Sequence, residues 1–471
     1  MTKQKITAFF LAGALIISLC GAAVFADEPA PEEGDASASQ VIGEENTPTE
    51  TPSDQDIQQE DENAVAEEEE NEESQDLETG EEAESSQDAL GTVSFTNLAD
   101  RLRESNLNLL ALEETIASIE AIDYEEMMDE LRKQINTISS AQFELRVNQL
   151  PATGNVAQDM VNSALMQAAT SSTLQSLQQA YDSLRETFDD LKEGKLQKDN
   201  EAVIRQLRNA QDQIVMAAES LYVALAEMEL NCQALDRSQT ALERTIQEME
   251  LRYTMGQISA LTLQEVKAGR TSLESGKQTL EMNVRNLKSQ LELMLGAELT
   301  GEIRLQPLVR VTAEQLNAMD LEQDLVKGKQ NSYALYAAKR TLDDAKDDFE
   351  NAKDDYGVRD YQYTMAQHTW QSAQYTHDAT IQSFENSFRT LYYQVKDYQQ
   401  ILGAAETALA VEKASLAAAQ LKYEQGTISY NKLLDAQDEL ASAQDQVDTA
   451  AIDLFAAYNN YRWAVDYGIL N

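Results

Sequence analysis

Beyond residue 92 the apolar positions of this 471-residue chain recur at alternating steps of three and four. Leu221, Leu225, Met228, Cys232, Leu235, Leu242, Ile246, Met249 and Tyr253 form one such series, with Gln239 as its single polar member. Ile381, Phe384, Phe388, Leu391, Val395, Tyr398, Leu402, Ala405 and Leu409 form another. This alternation predicts amphipathic helices, and its persistence predicts left-handed coiled-coil packing. Cys232 is then a packed core position. Val266, Leu273, Leu280, Val284, Leu287, Leu291 and Met294 continue one apolar face, with Gly269 and Gly276 placed to let a neighbour come close. Leu440, Val447, Leu454 and Tyr461 recur at sevens. The span from Tyr361 to Tyr423, read as one helix, is a rod of about 95 Å.

Each long series ends on the same short pattern. Leu251-Arg252-Tyr253-Thr254-Met255-Gly256-Gln257-Ile258-Ser259 and Leu421-Lys422-Tyr423-Glu424-Gln425-Gly426-Thr427-Ile428-Ser429 share Leu, a cation, Tyr, Gly, Ile and Ser at one spacing. A glycine past the last helical residue predicts a left-handed C-terminal cap, and a serine three residues later predicts the cap of a returning helix. Both stretches are predicted to be helical hairpin tips. Two of them make the chain an internal duplication: a first helical repeat over 92–307 with its tip at Gly256, and a second over 308–471 with its tip at Gly426. The fold class is all-α, built of very long coiled-coil hairpins.

Composition adds the ends of the chain. Lys3 and Lys5 precede an apolar run from Ile6 to Phe25, and Val24-Phe25-Ala26 has the small residues of a cleavage site, so 1–26 reads as a signal peptide. A bulky Leu19 before Cys20 argues against a lipoprotein site. Once the signal is removed Cys232 is the only cysteine, which excludes an intramolecular disulfide. Residues 27–91 hold 25 Asp or Glu and no Lys or Arg. That stretch reads as an acidic disordered linker, because self-repulsion and few apolar residues leave nothing to offset the ordering entropy. The formal net charge of −47 excludes nucleic acid as a partner.

No catalytic constellation, phosphate loop, dinucleotide fingerprint or cofactor motif is present, so the chain does not read as an enzyme. His368 and His377 stand nine apart and do not share the helical face a metal pair needs, and no metal is expected. Leu150-Pro151-Ala152-Thr153-Gly154 spells a sortase signal but lacks the apolar segment and basic tail such signals require near a C-terminus. It reads as a break between helices.

The tips carry a resemblance. Tyr423, Gly426, Ser429, Leu433, Leu434, Asp435 and Ala436 resemble the helical tip of the TolC-like outer membrane efflux protein family, and Tyr253, Gly256, Ser259, Leu263 and Glu265 match it more loosely. Asn106 and Asn331 precede the first long helix of each copy, as in the family's repeats. The resemblance covers residues 93–471. It implies a homotrimer whose twelve helices form a hollow α-barrel, an exit duct that docks through its tips (Tyr253, Gly256, Ser259, Tyr423, Gly426, Ser429) to a periplasmic-adaptor (membrane fusion) protein working with an ABC-type or other pump. It further implies that Asp435 projects into the pore as a constriction. The family often has a second acid one turn earlier. Here Lys432 stands there, and a Lys432–Asp435 pair could neutralise itself. The family's membrane strands also have no place in this chain: Lys353 to Tyr363 is too short for strands of about 9 to 11 residues, and 156–193 reads as helix. The expected product is an exported cell-envelope protein that does not span a membrane once its signal is cleaved. The alternative is an extracellular coiled-coil scaffold that conducts nothing.

Overall fold

The computed structural model describes Asp88, residues 91–147 and residues 156–470. The expected signal peptide, most of the acidic linker and the Leu150–Gly154 string lie outside these residues. Strand β1 (Thr92–Val93) leads into helices α1 (Phe95–Ser105), α2 (Leu107–Glu120), α3 (Tyr124–Val147), α4 (Val156–Lys192), α5 (Lys195–Thr254) and α6 (Ala260–Met294). Strand β2 (Arg304–Leu305) then precedes α7 (Ala313–Ala318), α8 (Leu321–Asn331), α9 (Tyr333–Tyr356), α10 (Tyr361–Glu424) and α11 (Tyr430–Asp466). The all-α, duplicated reading holds. Among the described residues the strands are these two dipeptides, paired in parallel with Thr92 opposite Arg304.

Helix α10 has 64 residues and α5 has 60, giving rods of about 96 and 90 Å. Each packs along a returning partner, α6 on α5 and α11 on α10. In the second copy α9 turns directly into α10 through residues 357–360, where a run of strand residues would have been needed for a barrel. In the first copy the same position carries the helical hairpin α3–α4. Both features stand at the end of the long helices opposite the tips. Among the described residues no helix is long and apolar enough to cross a membrane.

Midway along the rods the chain makes its densest packing. Val93, Leu98, Leu102, Val215, Tyr222, Leu225, Leu291 and Trp463 share one core. Leu325, Phe384, Phe388, Leu391, Val395, Leu454 and Tyr461 share the other. Each fully buried Leu or Phe contributes roughly 1.5–3 kcal/mol, so this region holds the hairpins in register. The Tyr222 hydroxyl donates to the Gln306 carbonyl at 2.6 Å, with the Val93 carbonyl 3.1 Å away, and so ties both strands to α5. Asp88 falls within the stretch expected to be linker, yet it is nearly buried and accepts from the Ser94 N–H, Asn97 Nδ2 and Arg101 Nη1. Burial pushes its carboxyl pKa up, but these donors outweigh it and hold the pKa below the ordinary value.

Two expectations are corrected. Cys232 is half-buried, not a core residue. A Cβ built on Gly269 or Gly276 meets nothing within 4 Å, so within this chain neither glycine admits a close neighbour. Asn331 precedes α9 as expected, but the capping residue is Ser332, whose side chain accepts from the Leu335 N–H. Asn106 performs two tasks: Oδ1 caps α2 by accepting from Asn108 and Leu109, and Nδ2 donates to the Met294 carbonyl at the end of α6. The second copy divides them. Ser332 takes the cap, and Asn331 donates to the Val465 and Asp466 carbonyls at the end of α11.

Candidate functional site

The tips Gly256 and Gly426 both adopt φ 71°, the left-handed region that favours glycine. Around each the backbone closes in the same way. The Gly256 N–H donates to the Tyr253 carbonyl (2.9 Å) and Gln257 N–H to Arg252 (2.8 Å); Gly426 N–H donates to Tyr423 (2.8 Å) and Thr427 N–H to Lys422 (2.9 Å). This pair of bonds is a Schellman closure, which satisfies carbonyls that a helix end otherwise leaves free. Three residues on, Ser259 accepts from the Thr262 N–H and Ser429 from the Lys432 N–H, starting α6 and α11. The predicted capping chemistry is present at both tips.

What the tips present is apolar and accessible. Leu251, Tyr253, Met255 and Leu261 are exposed at the first tip, and Leu421, Tyr423 and Tyr430 at the second. The Tyr423 and Tyr430 rings lie 5.8 Å apart. Only Ile258 and Ile428 are half-buried within the turns. Large exposed side chains clustered at a turn suit recognition by another protein.

The two tips sit at the same end of the molecule. Asn431 Nδ2 donates to Glu248 Oε2 at 3.3 Å, joining the start of α11 to the end of α5. Farther from the tips Arg244 pairs with Asp438 and Arg237 with Asp445. Midway along the rods, buried Glu219 of α5 accepts from Asn459 Nδ2 (2.7 Å), Arg462 Nη2 (3.2 Å) and Trp463 Nε1 (2.6 Å) of α11. The repeats are thus joined by a polar seam along α5 and α11. Nothing in the periodicity marks Glu219, since it is one glutamate among many until its partners, some 240 residues later, are brought to it.

Asp435 lies on the second turn of α11, exposed, with Oδ2 3.1 Å from Lys432 Nζ. Within the protomer the acid is paired with the lysine on its own helix. His368 is exposed on α10, and His377 Nδ1 lies 3.5 Å from Asp378. Among the described residues no group of three or more His, Cys, Asp or Glu is arranged to hold a metal ion.

No protein-family model matches the chain, and no curated protein matches it. Solved structures do. A membrane protein from Pseudomonas aeruginosa is 16% identical with a TM-score of 0.47, over 77% of this chain and 90% of that one. The outer-membrane channel OprN is 12% identical with a TM-score of 0.47, over 80% and 90%. The outer membrane protein VceC from Vibrio cholerae is 13% identical with a TM-score of 0.44, over 79% and 95%. The structures so matched include outer-membrane channels.

Proposed function

We propose that this protein is a component of an export duct: a homotrimer whose long hairpins close into a hollow helical cylinder. One observation supports it above the others. Two hairpins of about 90 Å, their tips at one end, lie side by side in the order α6, α5, α11, α10; α9 packs on the half of α10 away from the tips, and toward the tips α6 and α10 are left as edges. A globular bundle would fold such edges onto each other. A layer that keeps them apart is suited to closing with further copies of itself. The exposed Tyr253, Met255, Tyr423 and Tyr430 at the tips suit docking to an adaptor protein of the periplasmic type, which passes substrate from an inner-membrane pump. The protein is exported to the cell envelope.

In such a cylinder Asp435 and Lys432, just inside the second tip, line the entrance. Because they pair at 3.1 Å, the ring they form carries balanced charge. Crosslinking of Asp435→Cys in a Cys232→Ser background tests the reading. Axial positions from symmetry mates come within bridging distance, so disulfide-linked dimers are expected, one thiol of each trimer remaining free. Thiols that label freely from outside and never bridge would favour the alternative, a coiled-coil scaffold of the envelope.

A further inference from the structure

The duplication allows the missing contacts of the two edges to be read from contacts already made. Around the tips each residue of the first copy corresponds to the one 170 positions later, as Gly256 does to Gly426 and Ser259 to Ser429. Positions facing the hairpin's own core behave alike in both copies: Leu235, Leu242 and Met249 are half-buried, as are Ala405, Glu412 and Ala419. The seam positions behave differently. Leu230, Ala234, Arg237, Ala241, Arg244 and Glu248 of α5 are all half-buried against α11, whereas their counterparts Gln400, Ala404, Thr407, Val411, Ala414 and Ala418 of α10 are all exposed. The returning helices show the same split. Leu434, Asp438, Ala441, Asp445, Asp448 and Ile452 of α11 are half-buried, whereas Gln264, Ala268, Thr271, Ser275, Gln278 and Met282 of α6 are all exposed.

The differences follow the three-four period of a helix–helix contact on both elements, so they mark two complete faces and not scattered residues. We infer that α10 of one copy pairs with α6 of the next in the register of the α5–α11 seam, and that this seam between copies is uncharged. By that register Ala414 meets Ala268, where Arg244 meets Asp438 within the chain, and Thr407 meets Ser275, where Arg237 meets Asp445. The occupant is a second copy of this chain because each face is the structural counterpart of a surface that already has its partner inside the protomer. The chemistry of the two seams differs in kind. Toward the tips the one inside the chain carries partly exposed ion pairs, Arg244–Asp438 and Arg237–Asp445, that salt screens. The one between copies is held by close packing of Ala, Thr, Ser, Val and Met, which salt strengthens if it changes it at all. Added salt therefore weakens the tip-ward ion pairs inside each protomer without separating the copies.

This inference rests on the trimeric reading, and the test separates the two. In a Cys232→Ser background, the double variants Ala414→Cys/Ala268→Cys and Thr407→Cys/Ser275→Cys are oxidised and run on a non-reducing gel beside the out-of-register pair Ala414→Cys/Ser275→Cys. Native mass spectrometry of the unoxidised proteins gives the oligomeric state. Linked dimers and trimers from both in-register pairs, at least ten times more abundant than from the control, are expected, together with an unchanged trimer mass between 50 mM and 500 mM salt. A trimer whose in-register pairs do not link, or which links the control equally, overturns the register. A trimer that dissociates over that salt range overturns the uncharged seam. A monomer overturns the duct reading itself.

Discussion

Replacing Gly426 by alanine isolates one physical effect. A Cβ built there meets nothing within 4 Å, so no clash contributes, and the whole cost comes from holding an L-residue at φ 71°. That cost is about 1–2 kcal/mol. Two bonds define the closed tip, Gly426 N–H to Tyr423 and Thr427 N–H to Lys422, and they open together when the glycine leaves the left-handed region. A penalty of 1–2 kcal/mol corresponds to about a 5- to 30-fold larger local opening constant, at 1.4 kcal/mol per decade. Hydrogen exchange of the amides from Gln425 to Ile428 should speed up by that factor, with no change in α10 amides three turns away. Asparagine tolerates the left-handed region better than alanine, so Gly426→Asn should exchange more slowly than Gly426→Ala, and Gly426→Val faster than both. Because Gly256 has the same φ and the same open surroundings, Gly256→Ala should give the same factor within about twofold. Alanine exchanging as slowly as glycine, or asparagine as fast as valine, would refute the reasoning.

Other expectations follow from single residues. Glu292 is buried and accepts from the Thr300, Gly301, Glu302 and Ile303 N–H groups and the Thr300 hydroxyl. Burial raises its pKa, but these bonds outweigh that and lower it overall. Glu292→Gln turns an amide NH₂ toward donors and should cost about 3 kcal/mol, read as exchange roughly 100-fold faster at residues 300–303. A native pKa below the ordinary value means stability is present above about pH 4.3 and falls as pH drops through the native value, so acid should loosen this loop in wild type and not in Glu292→Gln. Asn106→Ala removes a cap and a helix tie together, and urea midpoints should show it costing about as much as Ser332→Ala and Asn331→Ala combined, with each cap worth about 1 kcal/mol. Lys432→Ala leaves Asp435 without its partner, so three unpaired carboxylates near a common axis should repel; native mass spectrometry should show the variant trimer dissociating more readily at 50 mM than at 500 mM salt, and a trimer as stable as wild type at both would remove these residues from the axis.

The tips were legible in the sequence because their chemistry is local. A left-handed glycine and a capping serine act within six residues, and the three-four period reports each helix's own buried face. Asn331 shows the limit of local reading. It stands where Asn106 stands in the pattern, but a neighbouring serine had taken over the cap, and only the end of α11 reveals what the asparagine still does. Cys232 shows another limit, since periodicity marks which face is covered and not how deeply. Glu219, Glu292 and the α5–α11 ion pairs were not legible. Their roles depend on partners brought together by folding, and a charged residue reads as solvent-facing until its partner is known. Helix α4 was legible as helix, but nothing in its sequence states what it meets.

The most direct measurement is electron microscopy of the purified protein viewed along its long axis. A threefold ring of twelve helices around an open centre is predicted, about 90 Å or more in length when viewed from the side. A single rod of four helices, or a bundle with no central opening, would contradict the duct.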